Sequence, residues 1–443
     1  MMPLAKFPFL TVGVARKMLP VLALCLLAAA GIEATRVFPH LRAMDFYHMW
    51  GVPLAKDALG SNPYAARVDY GTYLNAIAER SASDLLHTAN AARREIWPMG
   101  TPFYYACFAW LPGDFERALA AFVAAQYLAL IAAVAALARM NGAGTWLGLA
   151  LGATTALAFR PFVQDVASGN VDSFQLLAVT ALVYLSHARQ RLPAWAFRDG
   201  FPGLLAALVM FKPNTLWVAA ALAAHYVIVA PRGQLGRAAA VAAAAAIACA
   251  IIGAAYFDGP GTWIDWGRYL QGMNGGRLIY GVLEGNTSMV KFLAEISPRL
   301  GIVASQALLT ALVAAAFLLA AVRGRSREAR RADSLALISD AQFAASVGIA
   351  FMLATSPLVW PHYLVLALVP IVWLLAGNGG TPGIAWAAVM CFALATPVIE
   401  ALFDRPATIL FLVQLLCWVP LTAGLCAAVA RGPVPRWRAS PIG

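Results

Sequence analysis

Apolar residues along the 443-residue chain gather into twelve runs, at roughly 18–35, 115–138, 143–159, 173–187, 200–211, 214–230, 238–257, 301–322, 341–356, 362–377, 383–399 and 406–430. A helix needs about 17 to 25 apolar residues to cross a hydrocarbon core of roughly 30 Å, and most of the runs are near that length. The pattern predicts an all-α polytopic membrane protein of about twelve transmembrane helices. Both termini would lie on one side, and residues 1–443 would form a single transmembrane domain. The first run follows Lys6, Arg16 and Lys17, as the charged start of a signal peptide would. It is long, carries Glu33 near its end and lacks a small-residue cleavage site before the polar stretch, so it reads as helix 1, a signal anchor.

Between the runs the pattern changes. In the first long connection, 36–114, apolar and charged residues mix at helical spacing (Leu74, Ile77, Ala78, Leu85, Leu86), which suits helices lying on the membrane surface. Its last part, Thr101–Leu111, is apolar, too short to span and bracketed by Pro102 and Pro112; it predicts an interfacial or re-entrant helix. The runs meeting at Phe211, Lys212, Pro213 and Asn214 predict a tight hairpin with a lysine at its tip near the membrane surface. A second large connection, 258–300, is rich in aromatic and polar groups.

Composition agrees with a membrane solvent. Of the residues, 61% are apolar and 12% charged, and the mean hydropathy is +0.72, more hydrocarbon than a soluble core of this length buries. Charge then orients the chain. Segments 1–17, 139–142, 188–199, 231–237, 323–340, 378–382 and 431–443 share the N-terminal side and hold 17 Lys/Arg against four Asp/Glu, whereas the remainder holds 15 basic and 17 acidic residues. Basic loops resist translocation, so the termini are expected in the cytoplasm of a bacterial inner membrane, with the large loops and the function outside. The net charge of +11 and the pI near 9.6 are therefore a topology signal rather than a nucleic-acid footprint. The six cysteines show no paired spacing, and all but Cys107 lie in hydrophobic runs, which indicates neither a disulfide framework nor a metal site.

Candidate chemistry gathers at the outer ends of the runs. Asp45, just past helix 1 among His40, His48 and Trp50, fits a cap on the surface helix that follows or a general base of raised proton affinity. Arg160 offers a planar fork for phosphate or is an ordinary interfacial arginine, and Gly169-Asn170 permits a turn that aims the amide inward. Asp165 and Asp172, seven apart, read as flanking that turn. Trp360, His362 and Tyr363 sit between two runs; the aromatics suit an interfacial belt, and the histidine, with Lys212 and Arg160, a cationic pocket. In 258–300, Trp263, Trp266, Tyr269, Arg277, Tyr280 and Glu284-Gly285-Asn286-Thr287-Ser288 suit either sugar stacking or a plain interfacial loop.

In order, these pieces resemble the GT-C membrane glycosyltransferases, and among them glycosyltransferase family 87. The tracts are Asp45-Phe46 followed by Gly60-Ser61-Asn62-Pro63-Tyr64, Pro102-Phe103-Tyr104-Tyr105 leading to Leu111-Pro112, Gly169-Asn170, Phe211-Lys212-Pro213, Asn286-Thr287-Ser288, and Ser356-Pro357 through Trp360, His362 and Tyr363. The resemblance implies a GT-C-like bundle with surface helices after the first crossing. It also implies transfer of a sugar, mannose or a pentofuranose, from a polyprenyl-phosphate donor to a glycolipid or glycan acceptor at the outer face. Asp45 would be the general base. Lys212, His362 and, more weakly, Arg160 would meet the donor phosphate, and Asn170, Arg277, Asn286, Trp360 and Tyr363 the substrate. One base and a lipid-phosphate leaving group suit a single displacement with inversion. No cofactor is required beyond the lipid-linked sugar, and no paired-carboxylate metal motif appears in the outer loops. Asn170 stands where relatives often have glutamine, and Pro102-Phe103 where they often have two prolines. The rival is a lipid or sugar transporter or flippase, which would show internal repeats and midplane charges that the sequence lacks.

Overall fold

Each of the twelve runs forms a helix in the computed structural model, which describes residues 12–59, 62–64, 70–92, 100–274, 286–322, 336–395 and 408–431. Helix α1 (Val12–Val37) is followed by four helices of the first connection: α2 (Met44–Leu59), α3 (Tyr70–Arg80), α4 (Asp84–Ala92) and α5 (Pro102–Ala106). The bundle continues through α6 (Phe115–Met140), α7 (Thr145–Ala158), the short α8 (Arg160–Ser168), α9 (Asp172–His187), α10 (Phe201–Phe211), α11 (Leu216–Val229) and α12 (Leu235–Tyr256). Then come α13 (Gly261–Asn274), α14 (Met289–Ile296), α15 (Gly301–Val322), α16 (Ala341–Thr355), a 3-10 turn at Pro361–Ala367 leading into α17 (Leu368–Trp373), α18 (Gly380–Ala393) and α19 (Thr408–Arg431). Among the described residues there is no strand, only an isolated bridge between Phe159 and Ala395.

Among the described residues, five helical segments are long and apolar enough to cross a membrane: Met18–His40, Phe115–Met140, Arg232–Tyr256, Gly301–Val322 and Pro361–Asn378. Five shorter apolar helices join them, and α9 and α10 reach only 16 and 11 residues. Polar groups explain the shortness of these two. Asp172 begins α9, and the chain breaks at Lys212 because Pro213 disfavours helical geometry in the residue before it; Lys212 is extended, with φ −146° and ψ 97°.

Helix α6 lies in the interior, whereas α12 and α15 form the rim and turn Ile247, Ile251, Val303, Leu318 and Leu319 outward. Apolar surface of this extent needs a lipid solvent. Between helices, where lipid removes the hydrophobic drive, close backbone approach does the packing. Gly148 and Gly152 of α7 sit one turn apart against α6, where an added Cβ would stand 3.0 Å from the Ala135 carbonyl oxygen and 2.8 Å from that of Ile131.

The connections sort into two ends. Asn141 donates to Gln342 at 2.8 Å and accepts from Asn378 at 3.2 Å; Arg237 pairs with Asp199 at 2.7 Å; His225 Nδ1 meets the Ile338 carbonyl at 2.9 Å. These contacts join the connections that the charge pattern groups with the termini. The Asp199 carboxyl is held well below the usual carboxylate range by its hydrogen bonds from Arg237 and then Arg198.

At the other end, α2, α3 and α4 pack together over Leu74, Ala78 and Leu86, all buried. Two expectations are corrected there. The apolar stretch Thr101–Leu111 is helical only at Pro102–Ala106: Thr101 caps it by accepting from the Tyr104 N–H at 2.9 Å, and turns follow from Cys107, with Pro112 biasing Leu111 away from helix. The region 258–300 carries two helices, α13 and α14, rather than one loop. Gly60-Ser61, Arg277, Tyr280, Glu284-Gly285 and the Arg-rich tract 323–333 lie outside the described residues.

Candidate active site

Asn170 is the junction of four segments. Helix α8 ends at Gly169, whose φ of +71° is left-handed and favours glycine. An added Cβ there would also stand 2.5 Å from the Phe46 Cβ, so the missing side chain lets α2 close onto the turn. The Ala43 N–H donates to the Ala167 carbonyl at 2.9 Å beside it. This docking brings Asp45, in the first turn of α2, to Asn170: the amide Nδ2 donates to Asp45 Oδ2 at 2.8 Å. Asp45 Oδ1 has no hydrogen-bond partner among the described residues, and the carboxylate caps no backbone N–H there; the side chain is half-buried.

The orientation of the Asn170 amide is fixed by donors that cannot reverse. Its Oδ1 accepts from Lys212 Nζ at 3.0 Å and from the Val171 N–H at 2.7 Å. Nδ2 therefore faces both Asp45 and His362 Nε2, the latter at 3.0 Å. Since Nδ2 only donates, His362 Nε2 must accept, which makes His362 the neutral Nδ1–H tautomer. Nδ1 itself has no partner among the described residues, although the side chain is buried.

Lys212 reaches inward rather than lying at an exposed hairpin tip, which corrects the sequence expectation. Nζ lies 2.8 Å from Asp172 Oδ1 and 4.7 Å from the centre of the Tyr363 ring. Burial alone would lower its proton affinity, but the charge of Asp172 prevails and holds the ammonium above the ordinary lysine value. Asp172 Oδ2 lies 3.8 Å from His362 Nε2. The cation is thus neutralised inside the protein, and two of its N–H groups are already engaged.

Three buried groups hold this turn in place: Asp165 and Asp172, which the sequence reading took only as flanking it, and Gln126, which that reading passed over. Asp165 accepts from the backbone N–H groups of Asp172 and Ser173 at 3.2 and 3.1 Å, and Gln126 Nε2 donates to the Asn170 carbonyl at 2.7 Å. Asp165 and Asp172 are both fully buried; burial first, and the charge of Asp172 second, push the Asp165 carboxyl well above the usual carboxylate range. A lone glutamine in the apolar run of α6 was the available signal for Gln126. For Asp172 it was a carboxylate at the head of an apolar helix on the same face as Lys212.

The remaining expected site residues divide. Tyr363 is part of the cluster through its ring, and Trp360 packs against the core half-buried beside it. Asn286 is not free for substrate: fully buried, it donates to the Pro357 carbonyl at 3.0 Å and accepts the N–H groups of Ser288 and Val359, both at 3.0 Å. With Thr287 bonded to Val359, and Ser288 to the Ser356 carbonyl, it pins the loop that leads to His362. Arg160 begins α8, whereas Asn170 follows its end, a backbone separation of roughly 12 to 15 Å at 1.5 Å per residue, and the Arg160 N–H donates to the Leu394 carbonyl at 2.9 Å.

Among the described residues the protein is helical, with helices long and apolar enough to span a membrane and this polar junction at one end. The sequence profile of glycosyltransferase family 87 matches residues 96–357, more than half the chain, and the protein belongs to that family. The matched segment contains Asn170, Asp172 and Lys212; Asp45 and His362 lie outside it and are tied to it by the hydrogen bonds above. No curated protein and no solved structure matches the chain.

Proposed function

We propose that this membrane glycosyltransferase moves a sugar, mannose or a pentofuranose, from a polyprenyl-phosphate donor to a glycan or glycolipid acceptor at the outer face of the bacterial inner membrane. The observation that carries the reading is the half-buried Asp45 carboxylate, anchored through Oδ2 by Asn170 and with no partner at Oδ1 among the described residues. Oδ1 takes the proton of the acceptor hydroxyl. That oxygen attacks the anomeric carbon from the face opposite the phosphate, and the bond to the phosphate breaks with its electron pair going to the leaving oxygen. One base serves, because a phosphate anion leaves without protonation. The product is inverted at the sugar carbon.

His362 serves the leaving group as a neutral donor, its Nδ1–H directed to a phosphate oxygen. Lys212 positions Asn170 and, through it, Asp45, while balancing Asp172; it replaces the cationic pocket that the sequence suggested. Twelve crossings with cytoplasmic termini, favoured by the loop charges, put this end of the bundle outside.

The experiment is transfer by purified protein in nanodiscs, supplied with polyprenyl-phosphate mannose and polyprenyl-phosphate pentofuranose and an extract of cell-envelope glycolipids. Labelled sugar should appear on an acceptor with its anomeric configuration inverted. Retained configuration would overturn the single displacement, and no transfer from either lipid donor would overturn the donor class.

A further inference from the structure

Between the first crossing and α2 the backbone passes through a conformation that its own side chain resists. After the 3-10 turn at Phe38–His40, Leu41 is extended, with φ −69° and ψ 136°, and Ala43 then takes φ +45°. In that region the Cβ of an L-residue crowds the following carbonyl oxygen, which is why glycine is the usual occupant. The opposing turn does use glycine, at Gly169 with φ +71°. Strain of this kind persists only where the surrounding contacts over-determine it.

Three contacts do so at Ala43. Its N–H donates to the Ala167 carbonyl at 2.9 Å, near the end of α8. Its own carbonyl accepts from the Tyr47 N–H at 2.8 Å and so begins the hydrogen-bond ladder of α2. Its methyl is fully buried in the main core with Leu41, while Arg42 between them is exposed. Just beyond, Asp45 Oδ2 receives the Asn170 amide at 2.8 Å and Phe46 lies against Gly169. Residues 43, 45 and 46 thus meet 167, 170 and 169, and Ala43 is the point from which α2 sets out.

Glycine at position 43 would keep both backbone hydrogen bonds and shed the strain. What it would lose is restriction, since alanine has a small left-handed well and glycine a broad one. The first turn of α2 would then pivot, and the Asp45 carboxylate with it. A base must stand within hydrogen-bond reach of the hydroxyl it deprotonates, and a displacement of about 1 Å costs up to roughly 100-fold in rate. We infer that Ala43 is a positioning residue for the transfer reaction: its left-handed backbone fixes the direction of α2 and thereby aims the Asp45 carboxylate. This role rests on Asp45 acting as the base and adds the element that holds the base in line.

The test uses full-length protein in nanodiscs, supplied with polyprenyl-phosphate mannose, polyprenyl-phosphate pentofuranose and an extract of cell-envelope glycolipids, and compares Ala43→Gly with Ala55→Gly. Ala55 is also a fully buried alanine of α2, but it lies inside the helix, where glycine weakens the helix without altering its entry. Ala43→Gly should lower kcat about tenfold, with donor KM unchanged and a thermal midpoint at or above that of wild type. Ala55→Gly should lower the midpoint and keep wild-type kcat. In an Asp45→Asn background Ala43→Gly should have no further effect on the residual rate, because a residue that acts through the carboxylate then has nothing left to aim. Wild-type kcat in Ala43→Gly, or a loss accompanied by a lower midpoint or a raised KM, would assign Ala43 to packing and overturn the inference. So would an equal loss in Ala55→Gly or in the Asp45→Asn background. Wild-type protein that transfers neither sugar, or an Asp45→Asn variant as fast as wild type, would overturn the base reading itself, and this role with it.

Discussion

Asn170 donates one amide N–H to Asp45 Oδ2 at 2.8 Å across 125 positions of sequence, and the same amide group faces His362 Nε2 at 3.0 Å. One side chain therefore sets both the direction of the carboxylate and the tautomer of the imidazole. On the proposed mechanism, a base held in this way needs no reorganisation when a hydroxyl arrives, which is where an enzyme gains over solution.

Asp45→Asn should lower turnover by about 100-fold or more, the usual contribution of a general base, because an amide accepts no proton at neutral pH. Binding of the lipid donor should survive, since the loss falls on the chemical step. Single-turnover transfer and donor binding measured on one preparation separate the two; near-normal transfer would remove Asp45 from the mechanism.

Asn170→Ala should cut kcat by roughly 10 to 100-fold, the equivalent of a lost hydrogen bond to a charged group of about 1.5 to 3 kcal/mol. Asn170→Asp keeps the shape but sets a like charge against Asp45, and should be at least as damaging at neutral pH. If Asn170→Asp matched wild type in kcat, the orienting role would be wrong.

For Lys212 the expected loss is in folding. Lys212→Ala leaves Asp172 buried without its counter-ion, a change worth about 3 to 5 kcal/mol, far more than removal of an exposed lysine. Thermal unfolding in detergent should show a large fall for Lys212→Ala and a smaller one for the pair Lys212→Met with Asp172→Asn. A single variant as stable as wild type would mean that the pair is absent in the membrane.

Gly169→Ala tests the contact between α2 and the turn. The new methyl would collide with Phe46 and sit at a left-handed φ, costs of about 1 to 3 and 1 to 2 kcal/mol respectively. Loss of transfer with normal membrane insertion is the expected outcome, and a fully active variant would show that Asp45 does not depend on this closure.

Topology is tested by reporter fusions: those after residues 195 and 328 should report the cytoplasm, and those near 70, 275 and 360 the outer side. An outer signal at 328 would reverse the orientation of the bundle and place the Asp45 end in the cytoplasm.

The helices were legible because a membrane solvent imposes long apolar runs, and the grouping of connections was legible because charge marks them. Asp45, Asn170, Lys212, His362 and Tyr363 could be chosen one at a time as polar residues at one end of those runs. Their mutual contacts could not, since nothing in the sequence states that Gly169 leaves room for Phe46 or that the Lys212 side chain turns inward. Asp172 does flank the turn, but its pairing with Lys212 was hidden for the same reason: the partner is 40 residues away, and a carboxylate near a turn has a local explanation ready. Asn286 erred in the other direction, as an amide in an aromatic loop suggests a sugar, whereas here it binds the backbone of the segment 71 to 73 residues on.

The junction at Asn170 also has an order of assembly. Its partners are translated at widely separated moments: Asp45 has left the ribosome before Asn170 is made, Lys212 follows soon after, and His362 arrives only when most of the chain is already in the bilayer. Until then Lys212 can meet Asp172 and the Asn170 side-chain oxygen, but the Asn170 amide lacks its imidazole. A chain halted before residue 362 would insert, pair its charges and hold a carboxylate in place, yet have no imidazole to meet the leaving group. On the proposed mechanism, the part of the chain made last is therefore the part that completes the site.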